Sequence, residues 1–229
     1  MLFGINIVYL LVLVAVSLGL ILGIRALQKS ALAELSQTLY IENDPERYAR
    51  MLNSRFLFLV LRRGTLALLR LDGALFSGSS DMVREACAKL EGIKLKPEER
   101  LNWYQKALSF AAMQADEQQT ELYLTRIERF LEKEPDKGLQ AVCAEARLLY
   151  GVYIKRDTAL IPALEDDASA YSGQRLGIVL YRLAKLYHFA GDDDKAAERL
   201  KRAVRNLDNS PWLDVAERAL RDPSVLETE

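Results

Sequence analysis

The residue types that most often carry chemistry are sparse in this 229-residue chain. There is one histidine, His188, and there are two cysteines, Cys87 and Cys143, which lie far apart and outside any C-x-x-C pattern. The zinc motif H-E-x-x-H needs two histidines, and the motifs G-x-G-x-x-G, Walker A and G-x-S-x-G are absent from the sequence. The sequence therefore predicts no catalytic residues, no metal ligands and no cofactor. An enzyme with an unrecognised site is kept only as an alternative.

Two further groups of side chains have simple structural interpretations. Cys87 and Cys143 are expected to be separate buried thiols, because free cysteine behaves as a small hydrophobe, and this favours a reducing compartment. The consecutive aspartates Asp192, Asp193 and Asp194 lack the alternate spacing and the closing glutamate of a calcium-binding loop. We expect them to cap a helix and to face its positive N-terminal dipole.

A long apolar stretch runs from Phe3 to Ile24 without a charged side chain. As a helix it would be roughly 33 Å long, enough to cross a bilayer core of about 30 Å. We predict a retained membrane anchor over residues 1–25 rather than a cleaved signal, because the stretch is too long and no basic residue precedes it. Gly19 and Gly23 have the G-x-x-x-G spacing that pairs membrane helices, so they are candidate helix-pairing residues, and a homo-oligomer stays an open alternative.

The charges beside this stretch predict its orientation. Arg25 and Lys29 directly follow it, and only the amino terminus precedes it. Positive flanks tend to stay in the cytoplasm, so we predict the N-terminus outside and the bulk of the chain inside. The alternative is a domain outside the cytoplasm that assists envelope or secreted proteins. The net charge of −1 gives no indication of nucleic acid binding.

The remainder of the chain predicts an all-α fold. Its long stretches are rich in helix formers, and no alternating Val/Ile/Thr-rich segments recur at short spacing. The clearest unit begins near Gln174, where Leu180, Leu183 and Tyr187 recur at helical spacing. Gly191 then permits a left-handed turn, and a second helix with one apolar face follows. This pattern predicts a helical hairpin.

The hairpin resembles a tetratricopeptide repeat (TPR). The residues that match the family pattern are Ala184, Tyr187, Gly191, Ala196, Leu200 and Ala203. Polar turn signals recur at intervals of about 35 to 41 residues, near the 34-residue period of the family. They stand at Asn43-Asp44-Pro45, Ser77-Gly78-Ser79-Ser80, Ala115-Asp116, Lys155-Arg156-Asp157 and Gly191-Asp192. The resemblance implies an α-solenoid of about five helical hairpins, although Asp208 stands where the family's closing proline would fall.

The predicted organisation follows from this period. After the anchor we expect a juxtamembrane helical hairpin over 26–60, TPR-like repeats over 61–210, and a capping helix with a tail over 211–229, because a solenoid must cover its last apolar face. The sequence does not decide whether residues 56–76 form helices or a β-hairpin, since short apolar runs fit both. The apolar run from Phe56 to Leu61 would lie beside the membrane and could also touch lipid.

The resemblance implies protein binding as the function, because TPR solenoids present a concave groove lined by the first helix of each hairpin. The residues that map to this groove are Tyr104, Arg147, Tyr150, Tyr181, Lys185 and His188. Cations beside aromatic rings suit a peptide with acidic groups or a free carboxylate. The alternative is that the tyrosines pack between helices and the basic residues form a solvated face. The expected partners are an unidentified protein or peptide, and the lipid bilayer through residues 3–24.

Overall fold

The computed structural model describes residues 7–133, 137–208 and 211–228, and all regular structure within these ranges is helical. The predicted all-α class is confirmed for this part of the chain. Packing divides the chain into two compact units, Met1–Arg100 and Leu101–Glu229. The predicted boundaries after residues 25, 60 and 210 stay predictions, because they concern an anchor and repeats rather than compact units.

The first unit is built from short helices that follow one very long helix. Its elements are α1 (Ile7–Tyr40), α2 (Pro45–Leu52), α3 (Arg55–Val60), α4 (Arg63–Phe76), α5 (Ser80–Glu91) and the beginning of α6 (Pro97–Met113). α1 packs against α2 and α3, while α4 packs against α2 and α5. The core of the unit includes Tyr48, Leu52, Leu57 and Leu66. The Tyr48 hydroxyl donates a hydrogen bond to the Leu69 carbonyl at 2.7 Å and so ties α2 to α4.

The helix α1 has two different surroundings along its length. From Leu11 to Leu27 its large apolar side chains are 49–64% exposed. Further on, Ala31, Leu35 and Leu39 are buried in the core, at the four-residue spacing that marks one face of a helix. By length and composition α1 can cross a membrane. Residues 7–25 of the predicted anchor and the first helix of the predicted juxtamembrane hairpin are therefore parts of one uninterrupted helix, and residues 1–6 of the anchor lie outside the described residues.

The segment that the sequence left open, residues 56–76, consists of helices rather than a β-hairpin. The Ser54 hydroxyl begins α3 by accepting a hydrogen bond from the Leu57 backbone N–H. Leu61 and Arg62 are extended, with ψ 149° and 151°, and these two residues separate α3 from α4. Leu57 is a buried residue of α3. In α4 the buried residues Ala67, Leu71 and Ala74 recur at the spacing of one helix face, so this apolar run packs as a helix.

Each of the five predicted turns contains a residue with left-handed backbone. These residues are Asn43, Gly78, Ala115, Arg156 and Gly191, with φ between 51° and 78°. The residue that follows each of them caps the next helical segment by accepting a backbone N–H two or three positions later. These capping residues are Asp44, Ser79, Asp116, Asp157 and Asp192. The turn positions are therefore confirmed, including the two at Ala115 and Arg156, where the left-handed residue is neither glycine nor asparagine.

The second unit contains the rest of α6 and the remaining helices. They are α7 (Glu117–Lys133), α8 (Lys137–Leu149), α9 (Ile161–Ala170), α10 (Gly173–Phe189), α11 (Asp193–Asn206), α12 (Pro211–Arg221) and α13 (Val225–Thr228). A π-helical turn over Tyr150–Lys155 and a 3-10 turn over Thr158–Leu160 join α8 to α9. Pro162 lies in the first turn of α9, where its missing N–H leaves no helical hydrogen bond unmade.

The helices α10 and α11 form the helical hairpin that the sequence predicts after Gln174. Ala184, Ala196 and Ala203 are at most 3% exposed, so small side chains occupy the interior of the hairpin. Gly177 allows the closest approach, because a Cβ atom there would lie 2.7 Å from Leu207 Cγ and 3.1 Å from the Leu207 backbone nitrogen. The hairpin therefore needs glycine at position 177 for a steric reason.

We expect Gly177→Ala to lower the free energy of unfolding of the second unit by about 1–3 kcal/mol, because the added methyl group meets backbone that cannot move aside. Gly151→Ala is the matched control: its Cβ would come closest to the Cδ1 atom of Leu160, at 2.6 Å, and a rotation of that half-buried side chain relieves the contact. Denaturation of the full chain in detergent micelles, followed by tryptophan fluorescence, measures both, since Trp103 and Trp212 lie in the second unit. Equal stability of the two variants would contradict this packing.

Candidate functional site

Helix α10 carries the most unusual set of polar side chains in the described part of the chain. Arg182 is 8% exposed and Lys185 is 2% exposed, and Tyr181 beside them is fully buried. Charged side chains are rarely buried without a partner, because removal from water carries a free-energy cost of several kcal/mol per ion. The groups that neutralise or solvate these buried side chains must therefore come from the elements packed around α10.

An open cleft of about 420 Å³ lies along α10, where α6, α8 and α9 also contribute side chains. Its polar and aromatic lining residues are Gln105, Glu145, Asp167, Tyr171, Arg175 and Arg182. Ile178 and Val179 add an apolar strip on α10 itself. A cleft with an apolar strip and several polar groups can hold part of a peptide, which offers both backbone polar groups and side chains.

One wall of the cleft is held by a partly buried ion pair. The Arg182 guanidinium donates to a Glu145 carboxylate oxygen at 2.6 Å, with the arginine side chain 10% exposed and the glutamate 51% exposed. Burial opposes the charge of Arg182, but Tyr153 and Glu145 beside it hold its pKa above the usual value. Burial raises the pKa of Tyr153, so its hydroxyl stays neutral. Arg182 is consequently a fixed cation at the edge of the cleft.

The other end of the cleft presents an exposed cation. Arg175 lies over the Tyr171 ring, 3.8 Å from its centroid, and its Nη2 donates to the Tyr171 hydroxyl at 2.9 Å. Both belong to the short connection into α10, since Tyr171 ends α9 and Arg175 lies in the first turn of α10. A guanidinium on an aromatic face keeps further N–H groups for a carboxylate or a carbonyl oxygen of a partner.

The final helix of the described chain covers the C-terminal half of α10. Leu226 in α13 is fully buried, and its carbonyl oxygen accepts a hydrogen bond from the Lys185 ammonium group. The same ammonium lies 5.3 Å from the ring centroid of Tyr153 and 5.5 Å from that of Phe189. Two ring faces and a carbonyl group thus stabilise a cation that is removed from water.

The predicted groove residues on α10 are divided between interior and surface. Tyr181 is 0% exposed and meets Trp212 of α12 edge-on, with centroids 5.7 Å apart. Lys185 is covered by α13, as described. His188 lies between two carboxylates, with Nδ1 2.7 Å from Asp193 Oδ1 and Nε2 3.6 Å from a Glu227 oxygen. The structure therefore brings Lys185 and His188 together beside α13, and it places Tyr181 in the packed interior.

The other predicted groove residues lie elsewhere in the second unit. Arg147 pairs with Glu128 of α7 at 2.8 Å, and the Tyr150 ring is covered by Lys155 at 5.1 Å. Tyr104 belongs to a cluster of aromatic rings over which Arg126 lies; the other rings are Trp103, Tyr123 and Phe130. None of these predicted residues is among the described residues that line the cleft.

The residues that do line the cleft on α10 include Arg175, Ile178 and Arg182, which were not among the predicted site residues. The sequence contains a signal for two of them, because Ile178 and Arg182 are four residues apart and so lie on one stripe of the helix. The contribution of Glu145 and Tyr171 could not be predicted this way, since it depends on the packing of α8 and α9 near α10.

No group of three or more histidine, cysteine, aspartate or glutamate side chains in the described residues could hold a metal ion. Cys87 and Cys143 are both buried and are not joined in a disulfide, as the sequence predicts. Burial raises the pKa of the Cys143 thiol, which lowers its reactivity. In α1, a Cβ atom at Gly19 or Gly23 would have no neighbour within 4 Å, so pairing through these residues stays a prediction about other helices.

We expect Leu226→Ala to destabilise the second unit by about 2–4 kcal/mol, because a fully buried leucine is truncated and the cover over Lys185 is loosened. Glu227→Gln is the control, since it keeps the size of an exposed neighbour and should change the free energy of unfolding by less than about 0.5 kcal/mol. Denaturation of the full chain in micelles, followed by the fluorescence of Trp103 and Trp212, measures both. Equal stability of the two variants would show that α13 does not depend on Leu226 for its packing.

Comparison of the chain with protein-family models, with curated proteins and with solved structures finds no match. The resemblance to TPR proteins therefore stays an inference from the residues of the chain itself.

Proposed function

We propose that this protein is a membrane-anchored interaction protein whose second unit binds a segment of a partner protein in the α10 cleft. The observation that carries the membrane anchoring is α1, an apolar helix with side chains 49–64% exposed from Leu11 to Leu27 that continues without a break into a folded helical unit. Such a surface is stable in lipid and costly in water, because each apolar side chain left in water forgoes about 1.5–3 kcal/mol of burial free energy.

The five capped turns support a TPR-like solenoid as the architecture of this protein. Their left-handed residues recur at 35, 37, 41 and 35 positions, as the numbers 43, 78, 115, 156 and 191 give. In the proposed solenoid each turn joins the two helices of one hairpin, and α12 is the capping helix, in keeping with its packing against α11.

The α10 cleft supports a peptide as the ligand. Arg175 offers an exposed positive charge, Arg182 is paired with Glu145, and Ile178 offers an apolar contact between the two arginines. A segment with an apolar anchor and an acidic side chain would complement this lining. Anchoring in a membrane raises the effective concentration of such a site towards other membrane proteins, so a weak contact suffices for recruitment.

The partner site is tested by photo-crosslinking in intact cells. With benzoyl-phenylalanine in place of Arg175 or of Ile178, we expect covalent adducts with a partner protein. With the same residue in place of Arg202, which is exposed on α11, we expect none. Charge reversal by Arg175→Glu should remove the adducts formed at position 178 without loss of membrane-bound protein. Equal adducts at 178 and 202, or adducts that survive Arg175→Glu, would contradict the assignment.

The orientation is tested separately. We propose the N-terminus outside and both units in the cytoplasm, on the charges of Arg25 and Lys29. Arg202→Cys, in a chain with alanine at the two buried cysteine positions, should be protected from an impermeant thiol reagent in intact cells and labelled after lysis. Labelling in intact cells would instead favour the alternative, a protein that assists envelope or secreted proteins.

A further inference from the structure

The short helix α3 exposes a dense cluster of apolar side chains in the folded part of the chain. After Leu27, the large apolar side chains that are exposed among the described residues are Tyr40, Ile41, Phe56, Phe58, Leu59, Met82 and Leu122. Three of them stand within four consecutive positions of α3, at 50%, 52% and 86% exposure. Single exposed apolar residues are ordinary, but a cluster of this kind marks a surface that contacts something.

The helical geometry of α3 explains why the cluster cannot turn inward. Leu57 is 4% exposed and packs in the core of the first unit. Successive residues of a helix are about 100° apart, so Leu59 points roughly 160° away from Leu57. Phe56 and Phe58 lie about 60° and 100° from Leu59, one on each flank of the helix. The inner side of α3 is therefore used by the core, and an apolar side is presented outward.

The position of α3 along α1 fixes its distance from the uncharged stretch. Gln28 of α1 donates a side-chain hydrogen bond to the Val60 carbonyl oxygen at 2.7 Å. Phe56 lines a shallow depression of about 260 Å³ together with Leu27 and Ala31 of α1. Gln28 is four residues past Ile24, the last residue of the uncharged stretch, which is about 6 Å along the helix axis. The headgroup layer on each side of a bilayer is roughly 5–8 Å thick, so in a bilayer that the uncharged stretch crosses, α3 would lie at the depth of the headgroups.

Basic side chains surround the apolar cluster. Arg55 begins α3, and Arg62 and Arg63 follow it, all three exposed. Arg70 of α4 lies over the Phe58 ring, 5.6 Å from its centroid. Aromatic and leucine side chains ringed by arginine are typical of segments that enter the interface of an anionic membrane, where the rings lie among the acyl chains and the guanidinium groups reach the phosphates.

We propose that α3 is a second membrane contact, with Phe56, Phe58 and Leu59 inserted among the phospholipid headgroups of the bilayer that α1 crosses. The inference rests on the proposed anchoring by α1 and adds a site to it. The ligand is the anionic phospholipid surface, bound by apolar insertion together with the arginines. Because α1 and α3 both pack in the first unit, two contacts hold that unit against rotation about the α1 axis, which a single spanning helix would not prevent.

The test measures the depth of nitroxide labels in the full chain reconstituted in vesicles of phosphatidylcholine and phosphatidylglycerol. Labels are attached through Leu59→Cys, Ile41→Cys or Leu18→Cys, in a chain with alanine in place of the two buried cysteines. Leu18 reports the interior of the proposed span. Ile41 is the matched control, an apolar side chain 79% exposed that lies 17 residues past Ile24, about 25 Å beyond it along the axis.

We expect the label at 59 to lie between the other two in depth: less accessible to a water-soluble nickel complex and more strongly relaxed by oxygen than the label at 41, and less deep than the label at 18. If 18 lies in lipid while 59 resembles 41, the contact of α3 is overturned and the anchor stands. If 18 is also in water, the anchor itself fails, and the α3 contact fails with it. Protection at 59 that disappears when the protein is diluted in lipid would mean contact between copies of the chain and would also overturn the proposal.

Discussion

The first unit depends on the continuity of one helix. α1 changes from a helix exposed on all sides to one that buries a single face, and it does so without a break between Leu27 and Ala31. A helix satisfies its backbone polar groups internally, so the same segment is compatible with lipid at one end and with a protein core at the other. Whatever surrounds the apolar end therefore determines, through a rigid connection, the position of the core built on Leu35 and Leu39.

The second unit depends on α10 in a different way. Its apolar residues are buried on most sides, and two cations, Arg182 and Lys185, are buried with them. Such charges are stable only with partners in place, and those partners come from separate parts of the unit: Glu145 of α8 and the Leu226 carbonyl of α13. The ion pair in the cleft and the cover over Lys185 thus both arise because α10 buries charged groups that need partners. A ligand in the cleft would meet side chains that these partners already hold in position.

Local sequence signals predicted a large part of the fold. The composition indicated helices, and the Asp or Ser after each turn residue indicated where helices begin, because capping depends only on neighbouring backbone groups. The turns at Ala115 and Arg156 were predicted from the period and the cap, although neither residue favours a left-handed backbone. The helix–strand ambiguity of residues 56–76 could not be resolved locally, since the same apolar run satisfies both periods until the core face is known.

The candidate site shows where local signals end. That α10 is an amphipathic helix with an aromatic and basic character, and that α1 is apolar throughout its first part, follows from residue order alone, because helix periodicity is a property of the chain. The tertiary structure alone decided which of these side chains are accessible: Tyr181 packs on Trp212, Lys185 lies beneath α13, and Arg175 stays open on Tyr171. Accessibility depends on residues distant in sequence that meet only on folding, and no pattern within α10 contains that information.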